Sequence, residues 1–489
     1  MTLSATGSTI LLAILIGYIV ALVFIGRLAG KKIDNASDYL LAGRSVPLGL
    51  SVLSLLATWF GSSALLGATR SSYELGIHGN VLEPFACAAT LVFTGFLFAA
   101  PLWKLQVSTV ADLFRARMGP TAEWISCFIQ VPTFFCWIGA QYLSIGALLE
   151  TYLGVPNGVG AVASCIVVLL ILWSGGMWAV TWTNSLMVAF AIASVAILFF
   201  GTATTVGDGN ILRGVHRVIE ETPQDRLSLF PDLRLSTVLS VIGVFLTGLL
   251  GNVPGQDLQQ RVLCAKSPEV AKWSCAISSV IYLVIGMIPV YVGLASRLYL
   301  SDRITDADVQ GDRVLPMAAA SFLSEPMVIL LVLGLISVNL AVAAGSTISQ
   351  TTILANNILG ISRRTETGKP TYEKECVIAV SAGSLIAAFS GESVMGLLEI
   401  SLALVMVSLF VPMCICMFAR EVKPWTGVAS MLAGTLVWGC HVAIESWTQG
   451  EELSWYLAVP AEIQGLIASF AVAVFVQTWG TAVGQQTEC

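Results

Sequence analysis

A chain of 489 residues that is 56% hydrophobic and only 11% charged is not an ordinary soluble domain, in which about a quarter of the residues carry charge. Its three histidines, at 78, 216 and 441, are scattered, and with no phosphate loop and no nucleophile motif the chain gives no footing for an enzyme. The formal charge of −6 points to no particular partner, and none of nucleic-acid type is expected.

Crossing about 30 Å of hydrocarbon takes roughly 20 apolar residues. Such runs recur near 8–28, 45–74, 81–103, 123–150, 157–175, 180–205, 234–255, 270–298, 316–358, 374–391, 394–418, 425–446 and 456–480. The pattern predicts an all-α integral membrane protein with about thirteen transmembrane helices. The first run lacks a basic start and is long enough to span, so it is expected to stay as a helix rather than be cleaved. The second is interrupted. In "LSLLATWFGSSALLGATRSSYELG", residues 53–76, the apolar character fails from Thr58 onward at Gly61, Ser62, Ser63, Gly67, Thr69, Ser71 and Ser72, and Arg70 adds a charge.

A second interrupted run follows five helices later. "LSVIGVFLTGLLGNVPGQDLQQRV", residues 239–262, is punctuated by Gly243, Gly248, Gly251, Pro254 and Gly255. Small residues in membrane helices commonly serve close packing. Paired interruptions at equivalent places in two halves point further, to an inverted-repeat transporter whose broken helices present carbonyls and half-helix dipoles at a midplane site. Unwound backbone is tolerable there because it lines protein or an aqueous cavity.

The polar stretches 206–233 and 298–315 are too short to bury a core of their own. The eleven cysteines lie mostly in predicted helices and have no metal-ligand spacing, and Cys414 with Cys416 reads as buried apolar helix. Basic residues favour cytoplasmic loops. With the N-terminus outside, the inner loops hold sixteen Lys and Arg, Arg261 among them, and the outer loops seven. That predicts a multi-pass protein of the plasma (inner) membrane with its C-terminus in the cytoplasm. Ionisable residues inside spans are costly and default to functional candidates. Glu83 and Glu399 are the clearest.

The motifs "DYLLAGRSVPLGLSVLSLLATWFG", "TVADLFRARMG", "GGMWAVTWTNSLM", "GNVPGQDLQQRVL" and "VLPMAAASFL" run in order from about 38 to 358. Together they resemble the sodium:solute symporter family, within it the high-affinity choline transporter branch. The resemblance implies a LeuT-type core of two inverted five-helix repeats, 45–205 and 234–418. Around it lie an N-terminal helix and loop (1–44), an outer loop (206–233) and two peripheral helices with a short tail (419–489). It also implies secondary active transport of a small organic solute by alternating access, with sodium as the expected ion and no other cofactor.

Departures from the family pattern shape the expectation. The second sodium site takes carbonyls from the first core helix, here around Ala57 and Phe60, and two adjacent hydroxyls that fall on Ala341 and Val342. Neither side chain can ligate a hard cation, which needs several oxygens to replace its water. The family's Asp in the "TWTN" motif is Asn184. Ser337 is the nearby hydroxyl that could substitute, although such groups commonly bond back within their own helix. Glu83 or Glu399 could carry a proton instead. For the solute, Trp59 and Trp137 match two aromatics of a quaternary-ammonium cage, Gly255 stands where the family has a tryptophan, and Gln141 offers a polar handle. The expectation is therefore a sodium:solute symporter-like carrier without the usual sodium coupling. Its alternatives are a sodium-independent or proton-coupled carrier, or a solute receptor without coupled flux.

Overall fold

The structure, a computed structural model, describes residues 3–230, 232, 234–310, 312–360, 371–390, 394–448 and 459–479, with 310, 394–399 and 424 described by backbone alone. Among these residues the regular structure is helical apart from a single bridge between Val46 and Ala265. That is what hydrocarbon demands, because only a helix satisfies every backbone group within one segment. Nine helices are long and apolar enough to cross alone among the described residues, ten with the one bent pair.

Helix α1 (Ala5–Ala29) exposes Ile16, Val20 and Phe24 and buries the opposite stripe of Leu11, Leu15, Tyr18 and Leu22. Its C-terminal end lies so close to the fifth predicted run, 157–175, that a Cβ on Gly30 would sit 2.2 Å from Ser174 O. The first interrupted run becomes α2 (Leu48–Trp59), a break, and α3 (Ala68–Leu75) entered through a wide turn at Ser63–Gly67. Then come α4 (81–104), α5 (Val110–Met118), α6 (Pro120–Leu153) and α7 (Asn157–Val206). At about 1.5 Å per residue, 50 residues would reach roughly 75 Å, more than twice the hydrocarbon thickness. The chain divides them at Gly176, where φ 46° and ψ −134° break the helix between the two predicted spans. A side chain there would meet Tyr39 O at 2.4 Å.

After the amphipathic surface helix α8 (Ile211–Glu221), the second interrupted run forms α9 (Leu235–Gly251) and α10 (Gln256–Cys264), bent by 42°. Then follow α11 (Pro268–Tyr299), α12 (Val314–Phe322), α13 (Glu325–Ile353), α14 (Thr371–Ser390), α15 (394–418), α16 (Pro424–Thr448) and α17 (Ala461–Trp479). The run expected as one span over 316–358 is thus a short helix and a long one. The division falls at extended Leu323 and Ser324, and Pro326 opens the next helix in its first turn.

Helix α13 is the axis of the molecule. From Leu331 to Ile353 every residue is buried, against α7 and α6 above all. Four of its hydroxyls cost little there, because Ser337, Ser349, Thr351 and Thr352 each donate to the carbonyl four residues earlier. The two half-helices α2 and α10 pack on each other. Their ends are tied where Val46 N donates to Cys264 O at 3.1 Å and Lys266 N to Val46 O at 2.9 Å.

Candidate functional site

The first break opens because Phe60 leaves helical geometry (φ −80°, ψ 77°) and Gly61 N turns back to Trp59 O at 2.9 Å. Gln141 on α6 holds it. Ser62 Oγ donates to Gln141 Oε1 at 3.2 Å, and a Cβ on Gly61 would meet both that oxygen and Val342 Cγ2 at 3.2 Å. On the other side of the break a cavity of about 330 Å³ is lined by Leu56, Ala57, Phe60, Met187, Val188, Ala191, Ile192, Tyr282, Ile285, Val338 and Ala341. Tyr282 supplies the one hydroxyl among these side chains. This is where Ala57, Phe60 and Ala341 meet, the position the family resemblance gives to sodium. Val342 faces Gly61 instead. Asn184 is fully buried on α7 one turn before Met187 and Val188, with no hydrogen-bond partner for either end of its amide among the described residues.

Behind Tyr282 lies Glu83, which is 6% exposed. It sits at the non-helical start of α4 (φ −118°, ψ 121°). Ser63 Oγ donates to its Oε1 at 3.1 Å, and the Tyr282 hydroxyl lies 2.5 Å from its Oε2 and 3.3 Å from Trp59 O. Among the described residues no Lys, Arg or His nitrogen comes within 4.0 Å of it. The Trp59 ring stands edge-on to Tyr282 at 6.5 Å, so Trp59 belongs to this cluster. Ser337 is spent on Leu333 O at 2.6 Å. The backbone of Glu399 lies in α15, and its side chain is outside the described residues.

The second break is looser. Val253 N reaches Leu250 O at 3.3 Å and Gly255 N reaches Asn252 O at 3.1 Å. Beside it a cavity of about 300 Å³ is lined by Thr133, Phe134 and Trp137 of α6, Gly251, Asn252, Gly255 and Asp257 of the broken helix, and Ser401, Leu402 and Val405 of α15. Here Trp137 and Gly255 come together, without Trp59 and without Gln141. Gly251 lets α9 approach α15, since a Cβ there would lie 2.5 Å from Leu402 O. The two sites touch: Asn252 Nδ2 donates to Cys87 Sγ at 3.9 Å, one turn after Glu83 on α4.

Two residues of the motif "GNVPGQDLQQRVL" escape a reading of the sequence alone. Asp257 lines the second cavity, although a carboxylate directly after a break in a membrane span is the same signal that marks Glu83. Arg261, counted there with the loop cations, is 2% exposed inside α10. Its Nε donates to Thr58 Oγ1 at 3.1 Å, and its Nη2 has no hydrogen-bond partner among the described residues. Arg70 is paired with Glu74 at 3.1 Å and Asp312 at 3.2 Å. Burial pushes the Asp312 carboxyl above its ordinary value, against the guanidinium that draws it down.

The model of the sodium:solute symporter family matches residues 39–434. The chain is 25% identical over 443 residues to a high-affinity choline transporter of Caenorhabditis elegans, covering 83% of this chain and 73% of that one. It is 22% identical over 488 residues to a high-affinity proline transporter of Bacillus subtilis (strain 168), covering 95% and 98%. In structure it matches a substrate-bound, outward-open Na+-coupled sialic acid symporter with a TM-score of 0.82 at 16% identity, over 97% of this chain and 99% of the other. The fold is therefore that of the LeuT-type transporters, and the chain belongs to the sodium:solute symporter family.

Proposed function

We propose that this transporter moves a small organic solute through the cavity at the second break by alternating access, without a sodium ion at the family's second site. The observation that carries this reading is the lining of the first cavity. A sodium ion leaving water needs several oxygens, and Ala57, Phe60, Ala341, Val188 and Val338 offer only hydrocarbon side chains there. Solute is held between Trp137 and Gly255. Gln141 positions the first break rather than binding solute, and Trp59 braces Tyr282.

The coupling ion is a proton on Glu83. The Tyr282 hydroxyl has one proton and faces two acceptors, Glu83 Oε2 and Trp59 O. Both contacts are satisfied together when Glu83 is itself protonated, donates to the tyrosine oxygen, and lets the tyrosine donate to Trp59. An uncompensated carboxylate at that depth is costly, whereas its acid is at home. Tyr282, Ser63 and Cys87 are the ionisable or polar groups that face it. Losing the proton removes that shared arrangement at the break, which gives protonation a grip on its conformation. The repeats run over 45–205 and 234–418, with the N-terminus outside. Removing buried Arg261 from the count of inner-loop cations leaves fifteen against seven.

The test is uptake of radiolabelled choline and proline by proteoliposomes. Uptake driven by an inward proton gradient and indifferent to exchange of sodium for potassium is expected. Strict sodium dependence would overturn the coupling. Specific binding of either probe with no flux under any gradient would make the protein a receptor.

A further inference from the structure

We infer that the cavity at the second break selects a solute carrying a protonated amine, and that Asp257 is its counter-charge; this rests on the solute site proposed above. Asp257 is the second residue of α10 and is 5% exposed. One carboxylate oxygen accepts from the adjacent Leu258 N–H at 2.8 Å, the ordinary local role of an acid in a first helical turn. That role occupies one oxygen. Asp257 is one of the residues that line the cavity, and no cationic side chain is among the others. Among the described residues no Lys, Arg or His nitrogen lies within 4.0 Å of this carboxylate. The nearest cation along the helix, Arg261, directs its Nε to Thr58 instead.

A buried carboxylate without an ion-pair contact is costly, and the cavity is where a cation can come from. The other walls suit an organic ammonium. Phe134 and Trp137 offer aromatic surface, which attracts cations. The Trp137 Nε1 is a buried donor with no acceptor among the described residues, so a solute hydroxyl or carbonyl has a partner too. The hydroxyls of Thr133 and Ser401 are already committed, to Ile129 O and Thr133 O. Asp257 therefore supplies the charge that the polar walls lack. An ammonium with N–H groups can make a charge-assisted hydrogen bond to the second oxygen, the stronger kind. A quaternary ammonium gains only the Coulomb attraction. The pocket is thereby biased toward primary and secondary amines.

Affinity is measured on the purified full-length protein by titration calorimetry, with small primary amines, the alcohols of the same shape, and choline. Wild type is expected to bind at least one amine roughly tenfold or more tighter than its alcohol, in keeping with a charge-assisted hydrogen bond, and tighter than choline. Asp257→Asn brings the ratio of amine to alcohol affinity close to one, and Asp257→Glu keeps part of the preference. Equal amine preference in Asp257→Asn, or a wild type that binds none of the amines, overturns the inference. Leu402→Trp fills the cavity and separates the two claims. If it leaves all binding intact, the solute site itself is misplaced. If it abolishes binding while Asp257→Asn changes nothing, the site stands and the charge assignment falls. A thermal melt of each variant separates lost binding from lost fold.

Discussion

The two helix breaks share a sequence signature, Gly with Ser or Pro inside an apolar run, and open onto cavities of similar size, about 330 and 300 Å³. Their walls differ in kind. The first is lined by Ala57, Met187, Val188, Ala191 and Ala341, with its one carboxylic acid held behind Tyr282. The second presents Trp137, Asn252 and Asp257 directly. A break frees backbone groups in either place, but the side chains opposite decide what they serve. In the proposed mechanism the first break excludes a bare cation and leaves a buried acid to change state, and the second receives a polar solute.

Substitutions can break or sharpen this contrast. The largest expected effect separates the two tryptophans. Trp59→Ala should cost about 3–5 kcal/mol of stability, as a large core truncation does, because the ring packs on Tyr282; solute affinity measured below the lowered melting temperature should change little. Trp137→Ala should do the reverse, weakening solute binding roughly tenfold or more with a smaller loss in melting temperature. Trp59→Ala abolishing binding in an intact fold would merge the two regions into one site.

The double substitution Ala341→Ser with Val342→Ser tests whether the first cavity is an ion site lacking only its hydroxyls. A sodium-specific thermal stabilisation, absent in wild type, is expected. It would reach about 2.7 kcal/mol at a sodium concentration a hundred times the dissociation constant. Wild type stabilised by sodium over potassium would show that an ion is held without them.

Glu83→Gln keeps a donor and acceptor but cannot exchange a proton. Proton-driven uptake should be lost while solute binding persists, and uptake with unchanged pH dependence would remove Glu83 from the coupling. Gln141→Ala leaves Ser62 without its acceptor, and a cost of about 1–3 kcal/mol follows for an unsatisfied buried group, read as a lower melt with choline affinity held. The smallest effect belongs to Ser337→Ala. Its hydroxyl serves its own helix at Leu333 O, so stability should fall by less than about 1 kcal/mol, and any change in ion dependence would reassign it.

Much of this was open to a reader of the sequence, for physical reasons. Hydrophobic length and composition fix the spans, because the bilayer imposes one thickness on every crossing. Gly251, Pro254, Gly255, Gly61 and Ser62 mark the breaks because a helix carries its exceptions in local residues. The family motifs implied the fold; of the two positions expected to lack hydroxyls, Ala341 lines the apolar cavity and Val342 faces Gly61. Side-chain direction is another matter. Trp59 and Trp137 look like equal candidates in one dimension, yet one packs under Tyr282 and the other lines the second cavity. Gln141, one turn beyond Trp137 on α6, turns to Ser62 and does not line the cavity it was expected to serve.

By itself, then, the sequence determined that this chain spans a membrane in helices, breaks two of them five helices apart, and carries Ala341 and Val342 where the family resemblance implies two hydroxyls, all of which are properties of short segments. Only the tertiary structure decided that Glu83 meets a tyrosine 199 residues away and that Asp257 opens onto Trp137 while Arg261 turns to Thr58. Those pairings depend on which faces of packed helices meet, and one residue of rotation moves a side chain by about 100° around its helix.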